Sequence, residues 1–442
     1  MNIVELIRQW ASNSEDLNLN KISTKHSLAY HHYLTEIIRY WNHLNFIAKK
    51  TLRSLQKDGM RDILKIEACL YITYRYFWEE AQFSSVIKEI SKNEEFSDRN
   101  LVHSFYKKLS SFKWDIALQK KATTEKLSIK HAIPTFTINT LLPVMDYKSI
   151  KENVTAMDER ARKGIFYFRV NNLIKSTVPF SELTAKINAD FSKIGVKVRS
   201  DENFPLVLQA SVRDKSKILK SKYYRKKMII IQDKASFSSV LLLDPQPNEI
   251  VCDLCAAPGI KTSLISQQTS DKAFVVAGDF HHNRTNEMVS LLKSVGVTNV
   301  GFVQWDGIQP PLRNKLFDKI LLDAPCTGSG TFTANPVLKW KQSGQFLNRH
   351  IVLQEKLLKS ALSLLKEGGT LVYSTCSLYP EEGEYQIKKI LDDQVKFADT
   401  PSWLPPSYTI DGSTMKGSGR FLPADHHTIG FFVSKMIKKV RN

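Results

Sequence analysis

The sequence predicts three domains of different class: an all-α domain over residues 1–137, a small α+β domain over 165–235 and an α/β domain over 236–442, with 138–164 as a linker. Three observations carry this. Apolar residues recur at helical spacing, and no proline occurs before Pro134. Short strand-like runs then mix with a helical stretch from Ile165 onward. From Ser236 strands and helices alternate, the pattern of a mainly parallel sheet covered on both faces.

A chain of 442 residues that is 42% hydrophobic has ample material for several cores. Its formal net charge of +19 favours a polyanionic partner, nucleic acid first and an anionic membrane surface second. No apolar run approaches the ~18 residues of a membrane span, and Met1 to Trp10 lacks a signal-peptide core. The expectation is a soluble, cytoplasmic monomer. An odd number of cysteines, five, argues against a disulfide framework. Cys252 and Cys255 form a C-x-x-C with no second pair at metal spacing, and His281-His282 and His426-His427 have no partners at such spacing either, so no metal site is expected.

In chain order, helical periodicity runs through Leu28, Tyr33, Ile37, Trp41 and Leu44, and again through Ile63, Ile66, Leu70, Tyr74 and Phe77. Pro134 to Ala161 reads as a connection carrying a short helix. Ile165 to Leu173 is strand-like, Phe180 to Ile194 helical, and Val196 to Val198 and Leu206 to Leu208 are further strands. A basic stretch follows, with Arg225, Lys226 and Lys227 beside Tyr223 and Tyr224. Cations there are expected to meet RNA phosphate and the aromatics to stack on unpaired bases.

The α/β domain opens with Ile250 to Leu254 as a buried strand, the small-residue loop Cys255-Ala256-Ala257-Pro258-Gly259, and a helix starting at Ile260-Lys261-Thr262. Small residues admit a ligand to the backbone, and the helix start offers free N–H groups. This suits a dinucleotide or S-adenosylmethionine. Asp279, after the run Ala273 to Ala277, is placed for a ribose hydroxyl pair, and Asp306 ends a third strand, Asn299 to Gln304. The last strands, Gly369 to Tyr373 and Gly430 to Ser434, are separated by a helix over Glu382 to Asp392, the final one being added antiparallel at the sheet edge.

Two cysteines follow strands at this same edge: Cys326 after Ile320-Leu321-Leu322-Asp323-Ala324-Pro325, and Cys376 after Val372-Tyr373-Ser374-Thr375. C5 of cytosine is a poor nucleophile until a thiolate adds at C6, and loss of the C5 proton later expels the thiol. Hydrogen bonding at N3 drives the addition, which makes Asp323 the carboxyl candidate.

The segments Asp253 to Thr262, Asp323 to Cys326 and Ser374 to Ser377 resemble the signature motifs of the NOL1/NOP2/Sun family of RNA cytosine-5 methyltransferases. Arg169 to Leu173, Gln232 to Ser236, and Arg420 to Pro423 with Thr428 to Phe432 are similar to flanking family motifs. The all-α domain resembles NusB-like RNA-binding domains through Arg61 to Tyr71, Ser85 to Ile90 and Leu101 to Leu109, with His103 where that family usually has Asn. The resemblance implies an α/β Rossmann-like methyltransferase domain, S-adenosylmethionine as cofactor, and Cys376 as nucleophile with Cys326 assisting release. It also implies Asp323 at the cytosine N3/N4 edge and near the methionine moiety. Cofactor contacts would come from Cys255, Ala256, Ala257, Pro258 and Gly259 by backbone, Asp279 at the ribose and Asp306 at the adenine, with Lys261 at the pocket mouth and Arg284 on the cofactor side. Arg169, Asn171, Lys261, Arg225, Lys226 and Lys227 would contact RNA. Ile260 and Arg225-Lys226-Lys227 stand where the family commonly has glycines. Ribosomal RNA is the favoured substrate. The alternatives are a transfer-RNA cytosine-5 methyltransferase, an amino-methyltransferase, for which Cys376 has no use, and a non-catalytic assembly factor.

Overall fold

The computed structural model describes residues 3–12, 28–60, 62, 64–91, 98–174, 179–390 and 394–440. Arg61 and Ile63 of the NusB-like motif and Asp392 of the expected 382–392 helix lie outside them. The chain divides into two compact units, one of residues 1–140 with 335–342, the other of 141–334 with 343–442.

The first unit is helical. Its central helix, Ile66–Glu79, buries every residue from Ala68 to Tyr74, the mark of a helix surrounded by others. Ile3–Ser12 adds Ile7 and Trp10 to the same core, and Trp10 meets Trp41 edge-on with centroids 4.3 Å apart. The sequence reading assigns residues 335–342 to the α/β domain, but the short helix Pro336–Lys341 belongs to this unit. Lys339, 1% exposed, donates to the Arg39 carbonyl at 3.2 Å, and the Trp340 indole donates to the Ile38 carbonyl at 2.7 Å. Both close the carboxyl end of helix Leu28–Arg39, where free carbonyls attract donors and cations.

The second unit contains two sheets. In the smaller, β1 (Ile165–Val170), β2 (Val198–Ser200), β3 (Val207–Ser211) and β4 (Ile229–Ile231) pair antiparallel in the order β2-β3-β1-β4. Helix Phe180–Lys193 covers one face with Ile187 and Phe191. The expected linker is largely the helix Tyr147–Lys163. Asp146 caps it by accepting the Ser149 N–H at 2.7 Å, and Ile150, Val154 and Met157 form a buried stripe.

The larger sheet comprises β5 (Ile250–Asp253), β6 (Phe274–Asp279), β7 (Val300–Gln304), β8 (Phe317–Asp323), β9 (Leu365–Thr375), β10 (Val395–Phe397), β11 (Ser418–Phe421) and β12 (Phe431–Lys438). Its order is β10-β12-β9-β8-β5-β6-β7, with β11 also on β12. Strands β5 to β9 are parallel, and β12 runs antiparallel to β9. The late antiparallel strand is therefore present but not at the edge, because the three- and four-residue strands β10 and β11, too short to show in the sequence pattern, pair beyond it. Alternation distributes the core: Val251, Leu321 and Val372 pack on one face with Leu264, while Cys252, Ile320, Leu322 and Tyr373 pack on the other with Leu357. The chain leaves β5 toward β6 and β7, then returns to the opposite side of β5 with β8. The crevice at the carboxyl ends of β5 and β8 is the topological switch point, the usual ligand site of such sheets.

Two glycines close the loops beyond that crevice. Gly430 donates its N–H to the Gly330 carbonyl at 3.0 Å, and a Cβ on Gly330 would lie 1.9 Å from the Gly430 oxygen. Gly368, by contrast, has open space and a φ of +75°. Gly330→Ala is expected to cost about 2–3 kcal/mol in urea unfolding from overpacking, and Gly368→Ala only about 1 kcal/mol of left-handed backbone strain. Equal losses would contradict the Gly330–Gly430 contact.

Candidate active site

The first half of the crevice is built from β5, β6 and β7. Ala256 and Ala257 are nearly buried in the loop after β5, and Gly259 begins helix Ile260–Gln268 with φ +98°. A side chain there would also press on Met288 at 3.0 Å. The Ala256 N–H donates to the Gly278 carbonyl at 2.8 Å, and the Ala257 N–H to Asp279 Oδ2 at 3.2 Å. Arg284 donates to the Ala257 carbonyl at 2.6 Å and lies 3.6 Å from Asp279 Oδ2. Cys255 to Gly259, Asp279 and Arg284 thus form one cluster. Gly278 is required because a Cβ would fall 2.0 Å from the Trp305 ring, whose N–H is fixed on the Leu254 carbonyl at 3.1 Å. The next residue, Asp306, is exposed at the end of β7 and accepts the Ile308 N–H at 2.9 Å.

Asp253, which the sequence reading did not single out, lies beneath this loop. It is 1% exposed; Oδ2 accepts the Thr262 hydroxyl at 2.7 Å, and Oδ1 has no hydrogen-bond partner among the described residues. Burial pushes its carboxyl up to about 7, with Asp323 and Asp279 adding to the rise and the Thr262 hydroxyl and Lys261 opposing it. Burial likewise raises the Cys255 thiol.

The second half is built from β8 and β9. Asp323 and Ser374 are register partners, and Ser374 Oγ donates to Asp323 Oδ1 at 2.7 Å. Lys261 Nζ donates to Asp323 Oδ2 at 2.7 Å and lies 5.5 Å from the Phe431 ring centre. Its side chain is 13% exposed, and its ammonium is paired with Asp323. Just beyond, Cys326 Sγ and Cys376 Sγ stand 3.3 Å apart, both partly exposed. The Cys326 thiol is held well above its ordinary range, first by its hydrogen bond with Cys376, then by burial, the Cys376 charge and Glu382. Either sulfur can donate to the other across this contact.

Both cysteine loops rest on side chains that sequence reasoning missed. Glu382, read there as a helix start, is fully buried and binds Thr327, while Gln354 Nε2 donates to the Pro325 carbonyl at 2.9 Å and to Glu382 Oε1 at 3.0 Å. Arg420, 1% exposed, binds Glu384 through Nε at 3.0 Å and Nη2 at 2.7 Å and donates to the Ser377 carbonyl at 2.6 Å. The acidic run Glu381-Glu382-Gly383-Glu384 directly after a strand and cysteine was the available signal.

Several expected RNA contacts are corrected. Arg169 is fully buried, with Nε on Gln232 at 2.7 Å, Nη2 on Ser263 at 2.6 Å and Nη1 on Gln267, and burial lowers it to about 9. Asn171, 2% exposed, donates to the Lys227 and Val295 carbonyls at 3.0 and 2.9 Å. Both brace the small sheet against the large one and cannot reach RNA. Tyr223 is buried with its hydroxyl on Asp190, so it cannot stack on a base. Arg225 and Lys226 are exposed, and Lys227 lies over the Tyr224 ring. Among the described residues no group of three or more metal-ligating side chains occurs, and no helix is long and apolar enough to cross a membrane.

A raised acid pKa favours the folded state at low pH, a contribution present below about 4 and lost as pH rises toward 7. Without added ligand, the wild type is expected to lose about 2 kcal/mol relative to Asp253→Asn between about pH 5 and pH 7. Parallel pH profiles in denaturant titrations would contradict the burial of this carboxyl.

Residues 240–437 match the family model described as 16S rRNA methyltransferase RsmB/F. A probable ribosomal RNA small subunit methyltransferase B from Synechocystis is 38% identical over 213 residues, 47% of this chain and 47% of that protein. A mouse 28S rRNA (cytosine-C(5))-methyltransferase is 34% identical over 220 residues, 47% of this chain and 28% of that protein. The chain thus matches about half the length of the first and little more than a quarter of the second. A solved methyltransferase homolog protein from Pyrococcus horikoshii is 30% identical with a TM-score of 0.56, covering 70% of this chain and 99% of that one. Because the likeness takes in nearly the whole of that solved relative, the chain belongs to the same methyltransferase family, and its residues 240–437, which span both strand-end cysteines, are of the RsmB/F type that the Sun-family motifs resemble.

Proposed function

We propose that this chain is an S-adenosylmethionine-dependent RNA cytosine-5 methyltransferase acting on ribosomal RNA in the cytoplasm, as a monomer. The observation that carries the reading is the pair of thiols 3.3 Å apart at two neighbouring strand ends, beside Asp323. The first half of the crevice fits the cofactor. Small residues leave the loop backbone open, Asp279 suits a ribose hydroxyl pair, Asp306 an adenine amine, and the orphan Asp253 Oδ1 an additional donor. The cofactor supplies an electrophilic methyl group on a sulfonium.

Cys376 attacks C6 of an unstacked cytosine as thiolate, which makes C5 nucleophilic. Asp323, oriented by Lys261 and Ser374, meets the N3/N4 edge and favours the electron shift into the ring. Once C5 carries the methyl group, water takes the C5 proton, and the electron pair of that C–H bond restores the C5–C6 double bond and expels the Cys376 thiolate. The neighbouring Cys326 thiol assists that release.

The helical unit, read as a NusB-like RNA-binding domain, has a groove of about 510 Å³ lined by Lys50, Arg53, Lys57, Lys108 and Lys113 and by no acidic side chain. Lys108 is paired with Asp58 at 2.6 Å. The other four have no carboxylate partner among the described residues, which suits a phosphate backbone. The exposed Arg225 and Lys226 offer a second basic surface.

Bisulfite sequencing of RNA incubated with S-adenosylmethionine should show one rRNA cytosine methylated by wild type and unmodified with Cys376→Ala. Cys326→Ala should accumulate as a covalent RNA complex. Methylation confined to transfer RNA would redirect the substrate assignment, and methylation by Cys376→Ala would end the nucleophile assignment. Reversing Lys50, Arg53 and Lys57 to Glu should make the slope of log affinity for an rRNA fragment against log salt shallower by about 2. An unchanged slope would remove the groove from the RNA path.

A further inference from the structure

Glu382 combines full burial with hydrogen bonds to both cysteine loops. Its Oε1 accepts the Thr327 N–H at 2.9 Å and the Gln354 amide at 3.0 Å, and Oε2 accepts the Thr327 hydroxyl. Every donor to this carboxylate given above is neutral. Thr327 directly follows Cys326. The main-chain carbonyl of the same residue accepts the Tyr373 hydroxyl at 2.9 Å and the Thr375 hydroxyl at 3.1 Å, and Thr375 directly precedes Cys376. The nearby cation Arg420 is taken by Glu384 in a two-point pair. A buried carboxyl group is thus held against the Cys326 loop, and among the described residues it forms no ion pair.

We infer that Glu382 is the positioning residue that makes the two cysteines unequal, fixing the Cys326 loop so that Cys326 meets Cys376 as a neutral thiol donor and leaves Cys376 to ionise. The inference rests on Cys376 being the thiol that attacks the base. Two equivalent thiols at this distance would share one proton, and either could be the anion. A fixed negative charge on one side removes that symmetry: it disfavours a second anion on Cys326, so the S–H of Cys326 points at the Cys376 sulfur. No redox change is involved; the only proton that moves is the Cys376 proton, lost to solvent. The raised Cys326 thiol agrees with this, since Glu382 is among its causes.

The test is limited alkylation of the folded, full-length protein with iodoacetamide across a pH series, with peptide mass spectrometry reporting the ratio of Cys326 to Cys376 labelling. Wild type should label mainly at Cys376. In Glu382→Gln the charge is gone, and the ratio should shift toward Cys326 by about tenfold, with the pH at which Cys326 reacts falling by about one unit. Thr327→Val, which removes only the hydroxyl contact, should shift the ratio in the same direction, and Thr327→Ser should restore the wild-type ratio. A folded Glu382→Gln protein with an unchanged ratio overturns the inference while leaving Cys376 as nucleophile. Preferential labelling of Cys326 in wild type overturns the nucleophile assignment itself. If Glu382→Gln does not fold, Thr327→Val decides by the same ratio, and a purely structural role would lower the melting temperature without moving the pH at which Cys326 reacts.

Discussion

The chemistry of this fold depends on β8 and β9 lying side by side and parallel. Neighbouring strands are about 4.8 Å apart, so residues just past their ends are forced together wherever the loops turn the same way. Here Asp323 and Ser374 are opposite in register, and both chains turn over the sheet edge immediately afterwards. Cys326 and Cys376 consequently meet although 50 residues separate them. The Gly330 N–H donates to the Cys376 carbonyl at 3.0 Å, and Ser329 and Ser377 share a hydroxyl contact at 2.9 Å, so the two loops are stitched along their length. Neither thiol can move far without disturbing the other.

Holding two loops this closely requires polar groups inside the protein, and their satisfaction explains much of the surrounding sequence. Arg420 and Glu384 are 1% and 0% exposed at their side chains, and Arg420 is sandwiched between Tyr408 at 4.2 Å and Phe432 at 5.1 Å. Such a pair adds little net stability over an apolar replacement, but it dictates one arrangement, because each guanidinium N–H must find its own acceptor. The acceptors are Glu384 and the carbonyls of Ser377 and Tyr379, the backbone that follows Cys376. Arg169 does comparable work on the other side of the unit. Its donors reach Gln232, Ser263 and Gln267, locking β1 to the helix that begins at the cofactor loop.

Much of this was legible because strand-end chemistry leaves a linear trace. A buried apolar run followed by Asp-Ala-Pro-Cys or Ser-Thr-Cys-Ser names both the strand and the loop residue, and the Cys-Ala-Ala-Pro-Gly loop does the same for β5. The residues misread are those whose role comes from what packs above them. Arg169 and Asn171 are polar residues at the end of a strand and look available to RNA, yet burial among Gln, Ser and backbone carbonyls removes them from solvent. Glu382 looks like the first acid of a helix, since its partner Thr327 lies 55 residues upstream. The helix Pro336–Lys341 has no local feature that tells it from its α/β neighbours; only Trp340 and Lys339 meeting the end of a helix some 300 residues earlier assign it to the helical unit.

Asp323 joins the two halves of the crevice. One oxygen is held by Lys261, from the helix that the cofactor loop opens, and the other by Ser374, from the strand that delivers Cys376. A shift of the loop after β5 that moves Lys261 therefore reaches the Asp323 carboxylate, and a shift at Cys376 reaches it through Ser374. Asp253 extends the coupling: its carboxyl is tied to Thr262, one residue after Lys261, and feels the charges of both Asp323 and Asp279. The Thr262 hydroxyl lies on the start of helix Ile260–Gln268, the same element that positions Lys261 against Asp323. Asp253, Thr262, Lys261, Asp323 and Ser374 in this way form one run of neighbouring side chains from the end of β5 to the strand that delivers Cys376.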